Sequence, residues 1–142
     1  FWSDVRLSGA TVTNLLGSMT NFLWSQPNLP DDSENPLRLV SLAPTPKYAL
    51  EFESRFALRA MNNYGLSDFG MATAFTARDP DEKKGSIGRR RPGVQIRVVD
   101  DEDFALATGE IGEMILRTDE PWRSANGYYG MPEATLAANR NG

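Results

Sequence analysis

The sequence predicts an α/β fold: a parallel βαβ sheet in its N-terminal part, then an antiparallel β-hairpin section. Three observations carry this. The first half alternates short apolar or β-branched runs with helix-period segments on short links. The second half holds runs that alternate apolar and polar residues with period two. Between them stands a polar cluster, Asn62-Asn63-Tyr64-Gly65-Leu66-Ser67-Asp68, directly after the apolar run Leu58 to Met61. A strand ending this way delivers polar groups to the rim of a parallel sheet, where open α/β folds bind ligands.

Taken in order, Phe1-Trp2-Ser3-Asp4-Val5-Arg6 reads as part of a helix, and Thr11 to Leu16 as the first strand. After Gly17-Ser18, the residues Met19, Phe22, Leu23 and Trp24 have the spacing of a helix with one buried face. Pro27 and Pro30 end it, and Asp31 to Pro36 is expected to be a solvated acidic loop. Leu37 to Leu42 is the second strand. Ala43-Pro44-Thr45-Pro46 leads into a helix in which Tyr48, Phe52 and Phe56 recur at i, i+4, i+8. Leu58 to Met61 is the third strand. The passages after strands two and three then leave the same edge of the sheet, so Ala43-Pro44-Thr45 is expected beside the polar cluster.

Phe69 to Phe75 predicts one more strand, and Ala77 to Lys84 a charged loop. Val94 to Val99 and Glu113 to Arg117 alternate with period two around an Asp100 to Asp103 turn. Pro132 opens a final helix over 132–138. The expected division is residues 1–76 for the βαβαβ part and 77–142 for the antiparallel section with the last helix. Phe1 is not an initiator Met, and the chain stops at Asn141-Gly142 just after a helix, so a piece of a longer polypeptide is expected.

Composition narrows the chemistry. The 142 residues hold no Cys and no His, which removes thiol nucleophiles, imidazole bases and thiolate or histidine zinc sites. Hydroxyls, carboxylates, Lys and Arg, backbone dipoles or a hard metal ion remain, which is enough for phosphoryl-type and acyl-adenylate chemistry. A net charge of -4 argues against a nucleic-acid partner or an anionic membrane surface. No run is long enough for a membrane span and no signal peptide is visible, so stable membrane insertion is not expected and the cytoplasm is the expected compartment. A homo-oligomer stays open.

Each residue of the cluster has a physical job it can do at a nucleotide. Asn62 offers a donor and an acceptor to a purine edge, and Tyr64 a flat face for that ring. Gly65 lets backbone come close to a ligand. Ser67 can donate to a phosphate oxygen, and Asp68 is a hard oxygen ligand of the kind Mg²⁺ takes beside substrate phosphates. The same residue types also serve turn chemistry, and on the residues alone both readings stand. The basic cluster from Lys83 to Arg91 could steer a polyanion, but is expected to be an exposed loop without specific duty. It has no Gly-Lys-Ser/Thr, so it is not a P-loop.

Four stretches in order carry a resemblance. The cluster from Asn62 to Asp68 resembles the Tyr-Gly-x-Thr-Glu motif of the adenylate-forming enzymes, which include acyl-CoA synthetases, peptide-synthetase adenylation domains and luciferases. Lys84-Gly85-Ser86-Ile87-Gly88-Arg89 with Pro92-Gly93 resembles the family's Gly-Ser-x-Gly-Arg segment. Gly109-Glu110-Ile111-Gly112-Glu113 resembles its Gly-Glu-x-Gly-Glu segment, and Gly127-Tyr128-Tyr129 with Pro132-Glu133-Ala134-Thr135 its Gly-Tyr-Tyr…Pro-Glu-x-Thr segment. The first half is most similar to the carnitine-CoA ligase branch of acyl-CoA synthetases.

The resemblance implies part of the family's large domain: its parallel sheet and the start of a β-barrel-like subdomain. It implies an acid–thiol ligase in which a carboxylic acid attacks the α-phosphorus of Mg-ATP, giving acyl-AMP and pyrophosphate, and coenzyme A then displaces AMP. It implies that Ser67 holds the α-phosphate, Asp68 binds Mg²⁺ and Tyr64 stacks on adenine. Asn62 and the Ala43-Pro44 backbone would line the adenine pocket, and Gly65, Leu66, Leu16, Gly17 and Met19 would border the acyl group. Ser67 and Asp68 stand where the family usually has Thr and Glu. Leu66 departs from the Pro usual in amino-acid-activating domains, the rival within the class; a non-catalytic nucleotide-binding relative is the rival outside it. The family's Ser/Thr/Gly-rich phosphate loop, its Thr-Gly-Asp and its catalytic lysine have no match here, so the 142 residues alone are expected to be inactive.

Overall fold

Apolar runs bounded by Pro, Gly and polar turns set the elements of the first half, and their burial sets the fold. The computed structural model describes residues 1–139. Helix α1 (Trp2–Ser8) leads to strand β1 (Val12–Leu16), helix α2 (Gly17–Trp24), strand β2 (Leu39–Ala43), helix α3 (Ala49–Phe56) and strand β3 (Arg59–Leu66). Strand β4 (Gly70–Phe75) follows a three-residue link that can only join antiparallel neighbours. A short 3₁₀ turn (Asp81–Lys83) and strand β5 (Arg89–Arg90) complete a sheet ordered β1-β2-β3-β4-β5. Strands β1, β2 and β3 are parallel, with Leu16 opposite Ala43 and Ser41 opposite Met61, as two βαβ units require. Strands β6 (Val94–Val99) and β7 (Glu113–Thr118) form an antiparallel pair, and helix α4 (Pro132–Ala138) follows with Pro at its first turn. The pair is not closed into a barrel among the described residues. Asn141 and Gly142, expected just after the last helix, lie outside the described residues. No helix among the described residues is long and apolar enough to cross a membrane.

The chain divides into two compact units, Phe1–Tyr64 with Thr73–Arg89, and Gly65–Ala72 with the chain from Arg90 onward. In the first, α3 lays Phe52 and Phe56 onto Leu15, Val40, Leu42 and Ala60, all buried. Trp2 stacks on Phe56 at 4.6 Å between ring centroids, and Trp24 on Tyr48 at 4.8 Å. In the second, Val94 and Val99 are the buried ends of β6. Asp100 turns the chain after it, Oδ1 accepting the N–H groups of Glu102 (3.1 Å) and Phe104 (2.8 Å).

Three expectations need correction. The buried face of α2 is Thr20, Leu23 and Trp24, again an i, i+3, i+4 set, while Met19 and Phe22 face outward. The third strand does not stop at Met61 but runs through Leu66, because its second half joins β4 in the hairpin and the true turn is Ser67 to Phe69. The acidic loop is not simply solvated. Asp32 is 7% exposed and Oδ2 accepts the Leu29 N–H (3.1 Å) and Nε of Arg55 (2.7 Å). Arg55 in turn donates to the carbonyls of Trp24, Gln26 and Pro27 and lies 4.7 Å from the Phe56 ring centroid.

Burial alone would raise the Asp32 carboxyl, but the Leu29 N–H and the Arg55 guanidinium outweigh it and hold it below its ordinary 3.8. The ion pair therefore stabilises the fold above pH 3.8, and that contribution is lost as pH falls through the lower native value. Asp32→Ala is expected to lower unfolding free energy by about 3 kcal/mol, the low end for a broken buried pair because Arg55 keeps three carbonyls. Urea unfolding at pH 7 checks the size. The gap between variant and wild type should narrow below pH 3.8.

Candidate functional site

In the first unit, the parallel register brings three strand ends to one edge. Leu16-Gly17 leaves β1, Ala43-Pro44 leaves β2 through a cis peptide, and Asn62 to Tyr64 continue β3. A Cβ on Gly17 would sit 3.3 Å from Pro44 Cδ, so the ends of β1 and β2 touch. Leu16, 63% exposed, and Met19 present apolar surface at this edge. Thr45 Oγ1, one residue past Pro44, is buried without a hydrogen-bond partner among the described residues, an unmet polar group that a ligand or water would relieve. The sequence places Thr45 beside the polar cluster with Ala43 and Pro44, but assigns its hydroxyl no role.

Asn62 is buried, and part of its amide is already used. Its Nδ2 donates to the Ser86 carbonyl (3.4 Å), and Oδ1 accepts the Asn63 N–H (2.8 Å). What it can offer a purine is the second hydrogen and the second lone pair. Asn63, given no role from sequence, points to the other face and donates to Ser41 Oγ (3.3 Å). Tyr64 is half-buried.

The loop that meets Asn62 is the Gly-Ser-x-Gly-Arg segment, and it is not an idle basic loop. Lys84 has only 5% of its side chain exposed and pairs with Glu53, itself buried on α3. Glu53 Oε1 also accepts the Ala60 N–H (2.5 Å), and Oε2 accepts Arg59 Nη1 (3.2 Å). Thr73 Oγ1 donates to the Ile87 carbonyl (2.5 Å). At Gly88, φ is +81°, and a Cβ would fall 2.1 Å from the Ala74 backbone, so no other residue fits. The loop is clamped to α3 and β4, and Ser86 is thereby held against Asn62. Gly88 makes room for the β4 backbone, while Gly85 faces open space.

In the second unit, Gly65 and Leu66 end β3, and Ser67 is exposed at the turn. A Cβ on Gly65 would meet the Gly70 carbonyl oxygen at 2.6 Å and Met71 Cα at 2.8 Å. The close approach expected for a ligand is thus made by the hairpin itself. Asp68 is half-buried; its carbonyl accepts the Ala125 N–H (2.7 Å) and Oδ2 accepts the Tyr128 hydroxyl (2.6 Å). That bond, with the nearby carboxylate charge, pushes the Tyr128 phenol above its ordinary 10.0. Among the described residues, Asp68 Oδ1 has no hydrogen-bond partner, and no group of three or more acids could hold a metal. A single free carboxylate oxygen still fits Mg²⁺ of the phosphate-borne kind, which takes one or two protein carboxylates and completes its shell with phosphates and water. Tyr128 belongs to the Gly-Tyr-Tyr stretch, but its link to Asp68 spans 60 positions and leaves no local signal.

An open sheet whose first three strands run parallel, with polar groups at the edge where those strands lead, defines an α/β protein of the class that binds ligands at such edges. Residues 1–129 match the family of AMP-binding enzymes, and the chain belongs to that family. It is 33% identical over 144 residues to crotonobetaine/carnitine–CoA ligase of Salmonella paratyphi C (strain RKS4594), covering 97% of this chain and 27% of that protein. Among solved structures it is similar to the amide bond synthetase McbA from Marinactinospora thermotolerans (TM-score 0.81, 25% identity, 99% of this chain and 29% of that one). A benzoate CoA ligase from Burkholderia xenovorans LB400, at 18% identity and TM-score 0.79 over 95% of this chain and 27% of that one, shares the fold. The chain thus spans about a quarter of the length of the curated relatives it matches.

The clamp makes a graded prediction. Gly88→Ala is expected to cost about 3 kcal/mol or more, combining a positive φ with backbone overlap. Gly85→Ala, where φ is +101° but the space is open, should cost only about 1–2 kcal/mol of strain. Urea unfolding of the two variants side by side tests the difference.

Proposed function

We propose that this chain is the central part of an acid–thiol ligase that activates a carboxylic acid with ATP and passes the acyl group to coenzyme A. The observation that carries the reading is the shared edge of β1, β2 and β3, where Gly17 lies against Pro44 and Asn62 and Tyr64 follow on the neighbouring strand. Family membership and the carnitine–CoA ligase relative give the edge its chemistry. The carboxylate oxygen attacks the α-phosphorus and pyrophosphate leaves; the coenzyme A thiol then attacks the acyl carbon, AMP leaves and the thioester forms.

In this reading Asn62 and the Ala43-Pro44 backbone meet the adenine edge and Tyr64 its face, within the hydrogen-bonding capacity Asn62 has left. Ser67, exposed at the turn, donates its hydroxyl to an α-phosphate oxygen. Asp68 would hold Mg²⁺ through Oδ1, and the ion, when bound with ATP, would neutralise charge on the phosphates. Leu16, Gly17, Met19, Gly65 and Leu66 border the acyl group. The cytoplasm is the proposed compartment, since ATP and coenzyme A are needed together.

In the enzyme that carries this chain, Asp68→Ala is expected to lower carboxylate-dependent pyrophosphate release by about 10²-fold, with thermal stability nearly unchanged, because the acid sits at a turn. Ser67→Ala should weaken the same step by a smaller factor. The 142 residues alone are expected to show no pyrophosphate release with any carboxylic acid. Thioester formation on adding coenzyme A tests the second half-reaction. An amide formed instead with an added amine would favour chemistry like that named for the amide bond synthetase neighbour.

A further inference from the structure

The second unit contains a chain of contacts that ends on the Asp68 carboxylate and that the catalytic reading leaves unused. It starts at α4. Thr135 Oγ1 donates to the Met131 carbonyl (2.9 Å) and accepts the Tyr128 N–H (2.9 Å), and the Met131 N–H donates to the Tyr128 carbonyl (3.1 Å). A Cβ on Gly127 would lie 2.6 Å from Thr135 Cγ2, so the backbone before Tyr128 is pressed onto that threonine. The backbone of Tyr128 is therefore fixed on both sides, and its phenol reaches Asp68 Oδ2 at 2.6 Å.

Other contacts already strap the hairpin. Ala125 N–H donates to the Asp68 carbonyl (2.7 Å), and Arg123 Nη2 donates to the Met71 carbonyl (3.0 Å) while its guanidinium lies 5.9 Å from the Phe69 ring centroid. These hold backbone and ring. The Tyr128 hydroxyl is the contact that reaches the carboxylate, and it does so from a residue still 42% exposed, which burial alone does not require.

The geometry points to Tyr128 as a positioning residue for Asp68: its hydroxyl occupies Oδ2, fixes the plane of the carboxylate, and leaves Oδ1 as the single oxygen presented to the magnesium ion of bound Mg-ATP. This rests on the proposed role of Asp68. A phenol suits the task because it is a neutral donor. An Arg or Lys in its place would orient the acid equally well but would repel the cation. The Gly127-Tyr128 and Pro132…Thr135 motif pieces thereby acquire one purpose. Thr135 sets Tyr128, and Tyr128 sets Asp68.

The test uses the whole enzyme with Tyr128→Phe, Asp68→Asn and the double variant, and reads binding rather than turnover. Calorimetric titration with ATP plus Mg²⁺, with ATP plus chelator, and with AMP should show Tyr128→Phe weakening only the Mg-ATP complex, by about tenfold for one lost hydrogen bond to a charged group. The double variant should bind Mg-ATP no more weakly than Asp68→Asn alone, since both changes act through one carboxylate. Thr135→Val, which removes both of its hydrogen bonds, should shift Mg-ATP affinity the same way and provides a second route if Tyr128→Phe folds poorly. Equal weakening of AMP and Mg-ATP with a lowered melting temperature would make the contact a mere strap and overturn the inference. So would unchanged Mg-ATP binding in Tyr128→Phe while Asp68→Asn weakens it. If Asp68→Asn itself binds Mg-ATP normally, the role proposed for Asp68 fails, and the positioning role goes with it.

Discussion

One buried carboxylate ties the first unit together. Glu53 projects from α3 and is met by the Ala60 N–H of β3, by Arg59 beside it and by Lys84 from the loop after β4. Asp81 balances the second positive charge, bonding Arg59 at 2.8 Å and lying 3.3 Å from Lys84. Two acids and two bases thus close a neutral network around one anchor. Such a network contributes little net stability against an apolar alternative, but breaking it at one member leaves a buried charge unpaired. Its value is geometric. Helix, strand and loop are fixed to one another, and that loop carries the Ser86 carbonyl to Asn62.

The same logic separates what was legible in the sequence from what was not. The βαβαβ order was legible because each element stated itself within a short window: apolar runs at 37–42 and 58–61, and Phe52 and Phe56 one helical turn apart. The alternation in Val94 to Val99 likewise gave an antiparallel strand. The end of β3 misled because Asn, Tyr and Gly carry turn chemistry, while pairing with β4 extends the strand four residues past the first Asn, to Leu66. Asp32 and Lys84 looked like solvent charges for a similar reason. Their partners, Arg55 and Glu53, are 23 and 31 positions away, and charge patterning along a sequence is blind to that distance.

The candidate site shows this most plainly, because its residues stand together as a motif while their immediate tasks in the fold differ from residue to residue. Gly65 accommodates the hairpin backbone and Gly88 the backbone of β4, so both are required by the protein before any ligand arrives. Asn62 has given one hydrogen and one lone pair to its surroundings, and Asp68 has given Oδ2. Subtracting these commitments leaves, in the first unit, the rest of the Asn62 amide, the Tyr64 ring and the unmet Thr45 hydroxyl, and in the second unit the Ser67 hydroxyl and Asp68 Oδ1. In the proposed reading the groups of the first unit serve a purine, and those of the second a phosphate and its metal ion. The chemistry each unit can offer a ligand is therefore what remains after the fold has taken its own share, and it is on that remainder, more than on the motif letters, that the proposed nucleotide role rests.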